Sequence, residues 1–278
     1  MHPFLDVARP LAEQAARRLT ELRQQPLTQE RKADRSWVTN ADVEADVILR
    51  NGLQTAFPDH AILTEESGLK GPSNAEYLWV IDPLDGTRSY IRGTPGYSVM
   101  VGLLRQGVPY AGVVVDPVEH RTYEALRGLG TYEIHEGQRK KCQVSRRIKN
   151  AERRVVTSTG FPEPYKEKLQ KQWSGPWLTP INSVGIKIGL LVRQEADLYV
   201  NHHGVHYWDT CAPQVILEEA GGVITFANGE NLTYPLDGRY QHKTWTLASN
   251  ATDHAGALKT ALDVMPPLPP APAPAERH

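Results

Sequence analysis

The 278-residue sequence predicts a layered α/β protein, and three observations support this fold class. Periodic apolar residues near the N-terminus predict helices that would cover one face of a sheet. Later in the first half, four apolar segments joined by short polar links predict consecutive antiparallel strands. After residue 150, strand-like and helix-like segments alternate, which favours an α/β arrangement.

Two helices are predicted before the sheet. The first is an amphipathic helix that we expect to dock on the rest of the protein. Its apolar face comprises Leu11, Ala15, Leu19 and Leu22. The second begins after Thr39 or Asn40, since either residue could cap it. Its apolar face comprises Ala45, Ile48, Leu49, Leu53 and Ala56.

The antiparallel meander is predicted because the links between its strands are too short for a crossover. Arg105-Gln106-Gly107 and Gly128-Leu129-Gly130 are two of these links. The predicted strands span residues 97–104, 108–115, 121–125 and 131–134. Beyond them we expect a solvated basic connector at 139–149, strands at 155–157 and 196–200, a helix at 184–192, strands near Val223 and Trp245, and a last helix from Asp253.

Two carboxylates follow a predicted strand at residues 77–81. The run Asp82-Pro83-Leu84-Asp85-Gly86 consists of turn-forming residues, so we expect it to end that strand. Asp82 and Asp85 would then share one tight loop, where their oxygens suit Mg²⁺ beside a phosphate. Gly86 would let the backbone approach an anion closely. The same run also suits a turn without any ligand.

Three further acidic sites lie at the ends of predicted elements. Glu65 and Glu66 follow a short strand at 61–64, Asp42 lies in the first turn of the second helix, and Asp209 begins a helix that two glycines end. Viewed singly, Asp42 suits the dipole of its helix and the two glutamates suit a solvated loop. Cys211, close to Asp209, is expected to be a small buried thiol.

The acidic segments occur in an order that carries a resemblance. A strand followed by Asp82-Pro83-Leu84-Asp85-Gly86-Thr87, preceded by Glu65-Glu66 and followed by Trp208-Asp209 and a helix ending at Ala220-Gly221-Gly222, resembles the inositol monophosphatase superfamily. The similarity runs from about Thr39 to Gly222. It implies a five-layer αβαβα sandwich of the inositol monophosphatase and sugar phosphatase type, with the metal site between the two halves.

The resemblance also implies roles for individual residues. The implied metal ligands are Glu65, Asp82, the Leu84 carbonyl, Asp85 and Asp209. Asp42 is similar to the acid that helps place a further metal or its water, and Thr87 to the hydroxyl that, with Glu65, orients and deprotonates the attacking water. The implied reaction is hydrolysis of a phosphate monoester by a water that Mg²⁺ activates, with two or three ions and with inhibition by lithium.

The region around Asp209 bears on the choice of substrate. This region and Asp-Pro-Leu at 82–84 resemble the branch that removes the 3'-phosphate from adenosine 3',5'-bisphosphate. Inositol-cleaving relatives tend to have a carboxylate where this chain has His202. We expect substrate contacts from Gly86, Thr87, Arg88, His202 and Ser183. His202, His203 and His206 with Arg88 could face a second phosphate, or the histidines could belong to a polar loop or to the core.

Several alternatives stay open at this point. The chain could be an inositol-1-monophosphatase, a sugar bisphosphatase, or a metal-dependent dimeric protein that binds or regulates a partner. A net charge of -1 gives no electrostatic reason to grip a nucleic-acid polymer. Two cysteines suit a reducing cytoplasm, and no apolar run approaches the roughly 20 residues that span a bilayer. We therefore expect a cytoplasmic enzyme that acts on a small phosphate monoester. The resemblance to the family implies that it could be a homodimer.

The chain is expected to divide into two halves and a tail. Residues 1–150 would form the N-terminal α+β half, with the antiparallel sheet and most metal ligands. Residues 151–264 would form the C-terminal α/β half. Residues 265–278 are rich in proline and predict a disordered tail.

Overall fold

The structure, a computed structural model, describes residues 2–31, 37–72 and 74–266. In these residues the helices are α1 (Pro3–Leu22), α2 (Asn40–Ala56), α3 (Thr87–Arg92), α4 (Glu163–Gln172), α5 (Val184–Val192), α6 (Tyr207–Glu219) and α7 (His254–Leu262). The strands of the first half are β1 (Gln29–Arg31), β2 (Trp37–Thr39), β3 (Ala61–Thr64), β4 (Gly68–Lys70), β5 (Tyr77–Asp85), β6 (Ser98–Arg105), β7 (Val108–Asp116), β8 (Arg121–Leu126), β9 (Gly130–His135) and β10 (Gln138–Lys141). The later strands are β11 (Val155–Thr157), β12 (Leu198–Val200), β13 (Gly222–Phe226) and β14 (Thr246–Asn250).

Helices and sheets alternate in five layers. An eight-stranded sheet has the order β10-β9-β8-β7-β6-β5-β3-β4, and its neighbours pair antiparallel except for the parallel pair β3 and β5. Helices α1 and α2 pack on one face of this sheet, and α5 and α6 pack on the other. A second sheet, ordered β11-β12-β14-β13, lies between α5 and α6 on one side and α7 on the other. The αβαβα arrangement that the resemblance implies is thereby confirmed.

The large sheet is buried on both faces, which explains why its strands read as nearly continuous apolar runs. In β5, Leu78 and Val80 belong to the core shared with α5 and α6. The alternate residues Trp79 and Ile81 belong to the core shared with α1 and α2. Successive side chains of a strand point to opposite faces, so one strand contributes to two cores.

Two glycines allow α6 to lie close against the large sheet. A Cβ atom on Gly102 of β6 would lie 2.5 Å from the Cys211 sulfur, and one on Gly112 of β7 would lie 2.7 Å from the Ala212 carbonyl oxygen. Both distances are too short for real carbon contacts, so any larger residue would push α6 away. The close packing brings the N-terminal end of α6 near the end of β5.

Most predicted elements are confirmed, and β5 is the main difference. The structure places a helix at Val184–Val192 and the four meander strands close to their predicted bounds. We expected the strand at 77–81 to end before Asp82, but β5 continues to Asp85. Asp82 pairs with Met100 and Asp85 pairs with Ser98, with an irregular register between them. The pairing with β6 overrides the local preference for a turn.

The basic segment 139–149 is only in part the solvated connector that we expected. Arg139 lies in β10, donates to Glu124 at 2.9 Å, and places its guanidinium carbon 3.4 Å from the centroid of the Tyr132 ring. Arg147 donates to both carboxylate oxygens of the buried Asp197, at 2.9 and 3.0 Å. These ion pairs fix the segment to both sheets.

The structure also bears on the predictions for membrane helices, cysteines and the C-terminal tail. Among the described residues, no helix combines the length and the apolar character that crossing a bilayer requires. Cys142 and Cys211 are free and buried, and burial raises the pKa of Cys142 to about 11. The proline-rich tail predicted for 265–278 lies outside the described residues from Pro267 onward.

Candidate active site

Three aspartates, of which Asp82 and Asp85 are buried and Asp209 is partly buried, meet between β5 and α6. Each of Asp82, Asp85 and Asp209 offers a carboxylate oxygen, and these atoms lie within 4.8 Å of one another. Asp82 accepts a hydrogen bond from the backbone N–H of Leu84 at 3.0 Å. Asp209 accepts one from the backbone N–H of His206 at 2.6 Å, within the first turn of α6. The backbone therefore holds two of the three carboxylates in place.

Asp85 is oriented by the start of α5. Its Oδ2 accepts hydrogen bonds from the Ser183 hydroxyl at 2.7 Å and from the backbone N–H of Gly185 at 3.1 Å. The same Ser183 oxygen accepts from the N–H of Ile186 and so caps the helix. We expected Ser183 to contact the substrate. It is instead fully buried, and its hydroxyl proton is used by Asp85.

The electrostatics of this cluster favour a bound cation. Burial raises the pKa of Asp82, and the negative charges of Glu65, Asp85 and Asp209 raise it further. Burial also raises the pKa of Asp209, followed by the charges of Asp85 and Glu65. Ionised carboxylates at such distances repel one another unless a positive charge lies between them. Hard oxygen donors in this number fit Mg²⁺, which completes its coordination with water or phosphate.

Asp42 joins the cluster from the first turn of α2. Its Oδ2 accepts hydrogen bonds from the hydroxyl of Thr39 at 2.6 Å and from the backbone N–H of Thr39 at 2.8 Å, which forms a capping box. Its Oδ1 lies 3.3 Å from the Thr87 hydroxyl. Burial raises the pKa of Asp42 to about 6, although the hydrogen bonds from Thr39 oppose the shift.

Gly86 shapes the turn between β5 and α3. Its φ of 91° is left-handed, and a Cβ atom there would lie 2.5 Å from the Gly96 carbonyl oxygen. Both facts require glycine. The turn places the Thr87 hydroxyl 3.1 Å from the Leu84 carbonyl oxygen, at the start of α3.

Glu65 lies at the same sheet edge because β3 runs parallel to β5. Its backbone N–H donates to the Ile81 carbonyl at 3.2 Å. The charge of Glu65 contributes to the raised pKa values of Asp42, Asp82 and Asp209. A cavity of about 210 Å³ opens here, lined by Trp37, Glu65, Gly86, Thr87, Arg88 and Asn182. The structure thus brings all predicted metal and catalytic residues to one place.

The family model of the inositol monophosphatase family matches residues 1–262. The chain belongs to the inositol monophosphatase family. It is 33% identical over 228 residues to the 3'(2'),5'-bisphosphate nucleotidase CysQ of Aggregatibacter actinomycetemcomitans, covering 81% of this chain and 84% of the relative. It is 28% identical over 254 residues to the Nus factor SuhB of Escherichia coli K12, covering 86% and 90%.

A solved member of the family has the same fold. The inositol monophosphatase of Anabaena sp. PCC 7120 superposes with a TM-score of 0.75 at 28% identity, covering 96% of this chain and 97% of that one. Membership makes this protein a phosphatase of the inositol monophosphatase family. CysQ and SuhB are similarly identical to this chain, so its substrate depends on the residues that line the site.

A larger cavity of about 450 Å³ extends from the aspartates and would hold the rest of a substrate. Arg88 and Asn182 line both cavities, so the two are adjacent. The other lining residues are Asp85, Ser158, Thr159, Gly160, Val184, Tyr199, His202, His203, Val205 and Asp209. Among these described lining residues, Asp85 and Asp209 of the metal cluster are the ones that carry a carboxylate.

Two of the three histidines singled out in the sequence line this cavity in their neutral form. Burial lowers the pKa of His202, and burial together with His202 lowers the pKa of His203 to about 4. The ring of His202 lies edge-on to the rings of Phe161 and His203, at 5.5 and 4.7 Å. His206 instead stacks on Trp208 with 4.7 Å between ring centroids. The positive charge on this wall therefore comes from Arg88.

The sequence did not predict a role for three residues around the cavity, Lys187, Asn182 and Tyr199. Lys187 is fully buried in the middle of α5, and Tyr199 lies under its ammonium. A single lysine in a helix of otherwise apolar residues and glycine is a signal that could have revealed it. Asn182 and Tyr199 have no such signal, because a loop asparagine and a strand tyrosine are common.

Proposed function

We propose that this protein is a magnesium-dependent 3'(2'),5'-bisphosphate nucleotidase that acts on adenosine 3',5'-bisphosphate. The supporting observation is the wall of the larger cavity, which offers Arg88 and two neutral imidazoles where an inositol-cleaving site would carry a carboxylate. Arginine is well suited to bind a phosphate, and a neutral imidazole can donate an N–H to one. The relation to CysQ supports the same substrate.

Asp82, Asp85, Asp209, Glu65 and the Leu84 carbonyl would hold the magnesium ions. The chemistry that Mg²⁺ supplies when bound is a lowered pKa of a water ligand and neutralisation of charge on the phosphate oxygens. The residues of this protein would position the phosphate and the attacking water. The N–H groups of Gly86, Thr87 and Arg88 would bind the reacting phosphate at the start of α3.

Thr87 would orient the attacking water. Its hydroxyl hydrogen-bonds to Asp42 or to the Leu84 carbonyl, so the oxygen keeps a lone pair for the water's proton. Glu65 lines the same cavity and would act with Thr87 as the base. Asp42 would hold the hydroxyl at the correct angle.

We also propose three properties that the resemblance to the family implies. They are inhibition by lithium, a homodimeric state and a cytoplasmic location. Lithium chloride titration of the magnesium-activated rate tests the first, and light scattering on the eluting protein tests the second. Localisation of a tagged full-length chain tests the third.

The deciding measurement is kcat/KM with Mg²⁺ on adenosine 3',5'-bisphosphate, inositol 1-phosphate and fructose 1,6-bisphosphate. We expect a clear preference for the nucleotide. A preference for inositol 1-phosphate would overturn the substrate assignment and leave the phosphatase reaction in place. Failure to hydrolyse any of the three would favour the binding or regulatory alternative.

A variant sharpens the assignment. His202→Asp restores the carboxylate of inositol-cleaving relatives, so it should lower kcat/KM on the nucleotide at least tenfold, through repulsion of its second phosphate. It should improve the ratio for inositol 1-phosphate. His120→Asp makes the same chemical change at an exposed position outside the cavity and serves as the matched control. Equal effects of both variants would argue against a substrate contact at position 202.

A further inference from the structure

We propose that Lys187 is a positioning residue that fixes the wall of the substrate cavity by joining two separate segments of the chain. The inference rests on the proposed phosphatase function. It concerns the segment Ser158–Gly160 after β11 and the loop Ile181–Asn182 before α5. Ser158, Thr159, Gly160 and Asn182 of these two segments line the larger cavity.

The ammonium of Lys187 has three protein acceptors. Its Nζ lies 2.7 Å from the Ser158 hydroxyl oxygen and 2.9 Å from the carbonyl oxygens of both Ile181 and Asn182. A lysine has three N–H donors, so all of them are used. Lys187 therefore acts on a substrate through these residues and does not donate to it directly.

Keeping a lysine here is costly, which argues against an incidental role. The side chain has no exposed surface, and burial lowers the pKa of Lys187 to about 8, although the charges of Asp85 and Asp209 oppose the shift. The Tyr199 ring lies 4.8 Å below the ammonium and offers its electron-rich face. A methionine of similar length would fill the same space without a buried charge.

The segments that Lys187 joins are connected to the reacting groups. The Asn182 amide nitrogen donates to the Ser89 hydroxyl of α3 at 2.7 Å, and its oxygen accepts from the Thr159 hydroxyl. Asn182 also precedes Ser183, which orients Asp85. Lys187 thus holds the Ser158 side of the cavity at a set distance from α3, whose first turn carries Arg88.

The hydrogen bond from Lys187 also orients the Ser158 hydroxyl. Because its oxygen accepts from the lysine, its proton is left to donate elsewhere. Burial raises the pKa of Tyr199, and hydrogen bonds of its hydroxyl with the side chains of Ser158 and Asn201 oppose the shift. The Ser158 hydroxyl therefore connects Lys187 to the Tyr199 side of the cavity.

Lys187→Met is the first test, with Lys171→Met on the exposed side of α4 as the matched control. We expect Lys187→Met to raise KM for adenosine 3',5'-bisphosphate about 10–100-fold and to change kcat less, because the lost function is positioning. The Kd for the product adenosine 5'-phosphate, measured by calorimetry, should rise by the same factor. Stabilisation by Mg²⁺ should persist, since the aspartates remain.

A second variant keeps the test decisive if Lys187→Met does not fold. Ser158→Ala removes one acceptor of the ammonium and should change KM and Kd in the same direction by a smaller factor. If both folded variants bind product as the wild type does, or if neither variant folds, the positioning role is refuted. A wild-type protein that hydrolyses no phosphomonoester refutes the proposed function, a different outcome from an active wild type with an equally active Lys187→Met.

Discussion

The hydroxyl of Thr87 lies 3.3 Å from the Oδ1 atom of Asp42, although 45 positions separate the two residues in the chain. The contact exists because α2 packs against β5, and α3 begins directly after β5. Asp42 is held in turn by the capping box with Thr39. A helix cap and a candidate catalytic hydroxyl therefore share one carboxylate.

Removing the Thr87 hydroxyl should affect chemistry and leave folding intact. We expect Thr87→Ala to lower kcat on the preferred substrate by roughly 10²–10⁴-fold, the range typical of proton-transfer catalysis. Thr87→Ser keeps the hydroxyl and should retain most of the rate. Circular dichroism melting checks that all three proteins are folded. A Thr87→Ala rate near that of the wild type would contradict the assigned role.

Reducing the repulsion among the clustered carboxylates should stabilise the metal-free protein. Asp209→Asn removes one carboxylate charge from a mutually repelling set, so the Tm in EDTA should rise by roughly 2–6 °C. The wild type should gain further stability on addition of Mg²⁺, which binds only the folded state. The variant should lose most of that gain and most of its activity.

The control for this prediction is Asp237→Asn, which removes an exposed carboxylate that does not belong to the metal cluster. It should change neither the Tm in EDTA nor the response to Mg²⁺. A fall in the metal-free Tm of Asp209→Asn would show that hydrogen bonding by Asp209 outweighs the repulsion.

Enlarging Gly102 should separate α6 from the large sheet. A methyl group there would meet the Cys211 sulfur at 2.5 Å and the Ala212 backbone nitrogen at 2.8 Å, and the backbone atom cannot rotate away. Gly102→Ala should lower the free energy of unfolding by about 1–3 kcal/mol or more, as overpacking does. It should also lower activity, since α6 carries Asp209.

Gly128→Ala is the comparison for Gly102→Ala. Nothing lies within 4 Å of the added carbon, so only its left-handed φ of 83° opposes the change. Chemical denaturation should show the smaller loss, of about 1 kcal/mol, and normal activity. Equal activity of the two variants would mean that α6 can shift without moving Asp209.

Stability should fall in mild acid because of buried neutral histidines. Burial lowers the pKa of His242 to about 3, against an ordinary value of 6.5. Between these values the unfolded chain binds a proton that the folded protein does not, so the contribution is full above pH 6.5 and is lost as pH falls towards 3. The slope for one such group is about 1.4 kcal/mol per pH unit.

The variant His242→Gln tests how much His242 contributes to the pH dependence of the free energy of unfolding. The variant should be less stable at pH 7.5, because His242 hydrogen-bonds with Thr210 and packs on Tyr207. Its free energy of unfolding should fall less steeply than that of the wild type between pH 6.5 and 4.5. Parallel curves for the two proteins would show that His242 is not kept neutral by folding.

The sequence by itself determined the local elements and the identity of the acidic residues. The helix at 184–192 and the meander, which follows from short polar links, were both predicted from the sequence. Asp82, Leu84 and Asp85 belong to one short motif, so their proximity needs no long-range information.

Only the tertiary structure decided what depends on distant partners. Pairing with β6 extends β5 through Asp85, and packing on α6 and on Phe226 of β13 buries the imidazole of His242. Ser183 reaches Asp85 across 98 positions, which moves its hydroxyl from the expected substrate to the metal cluster. Lys187 finds its acceptors on a strand end and a loop. Local preference cannot predict such contacts, because burial and hydrogen-bond geometry arise when layers pack together.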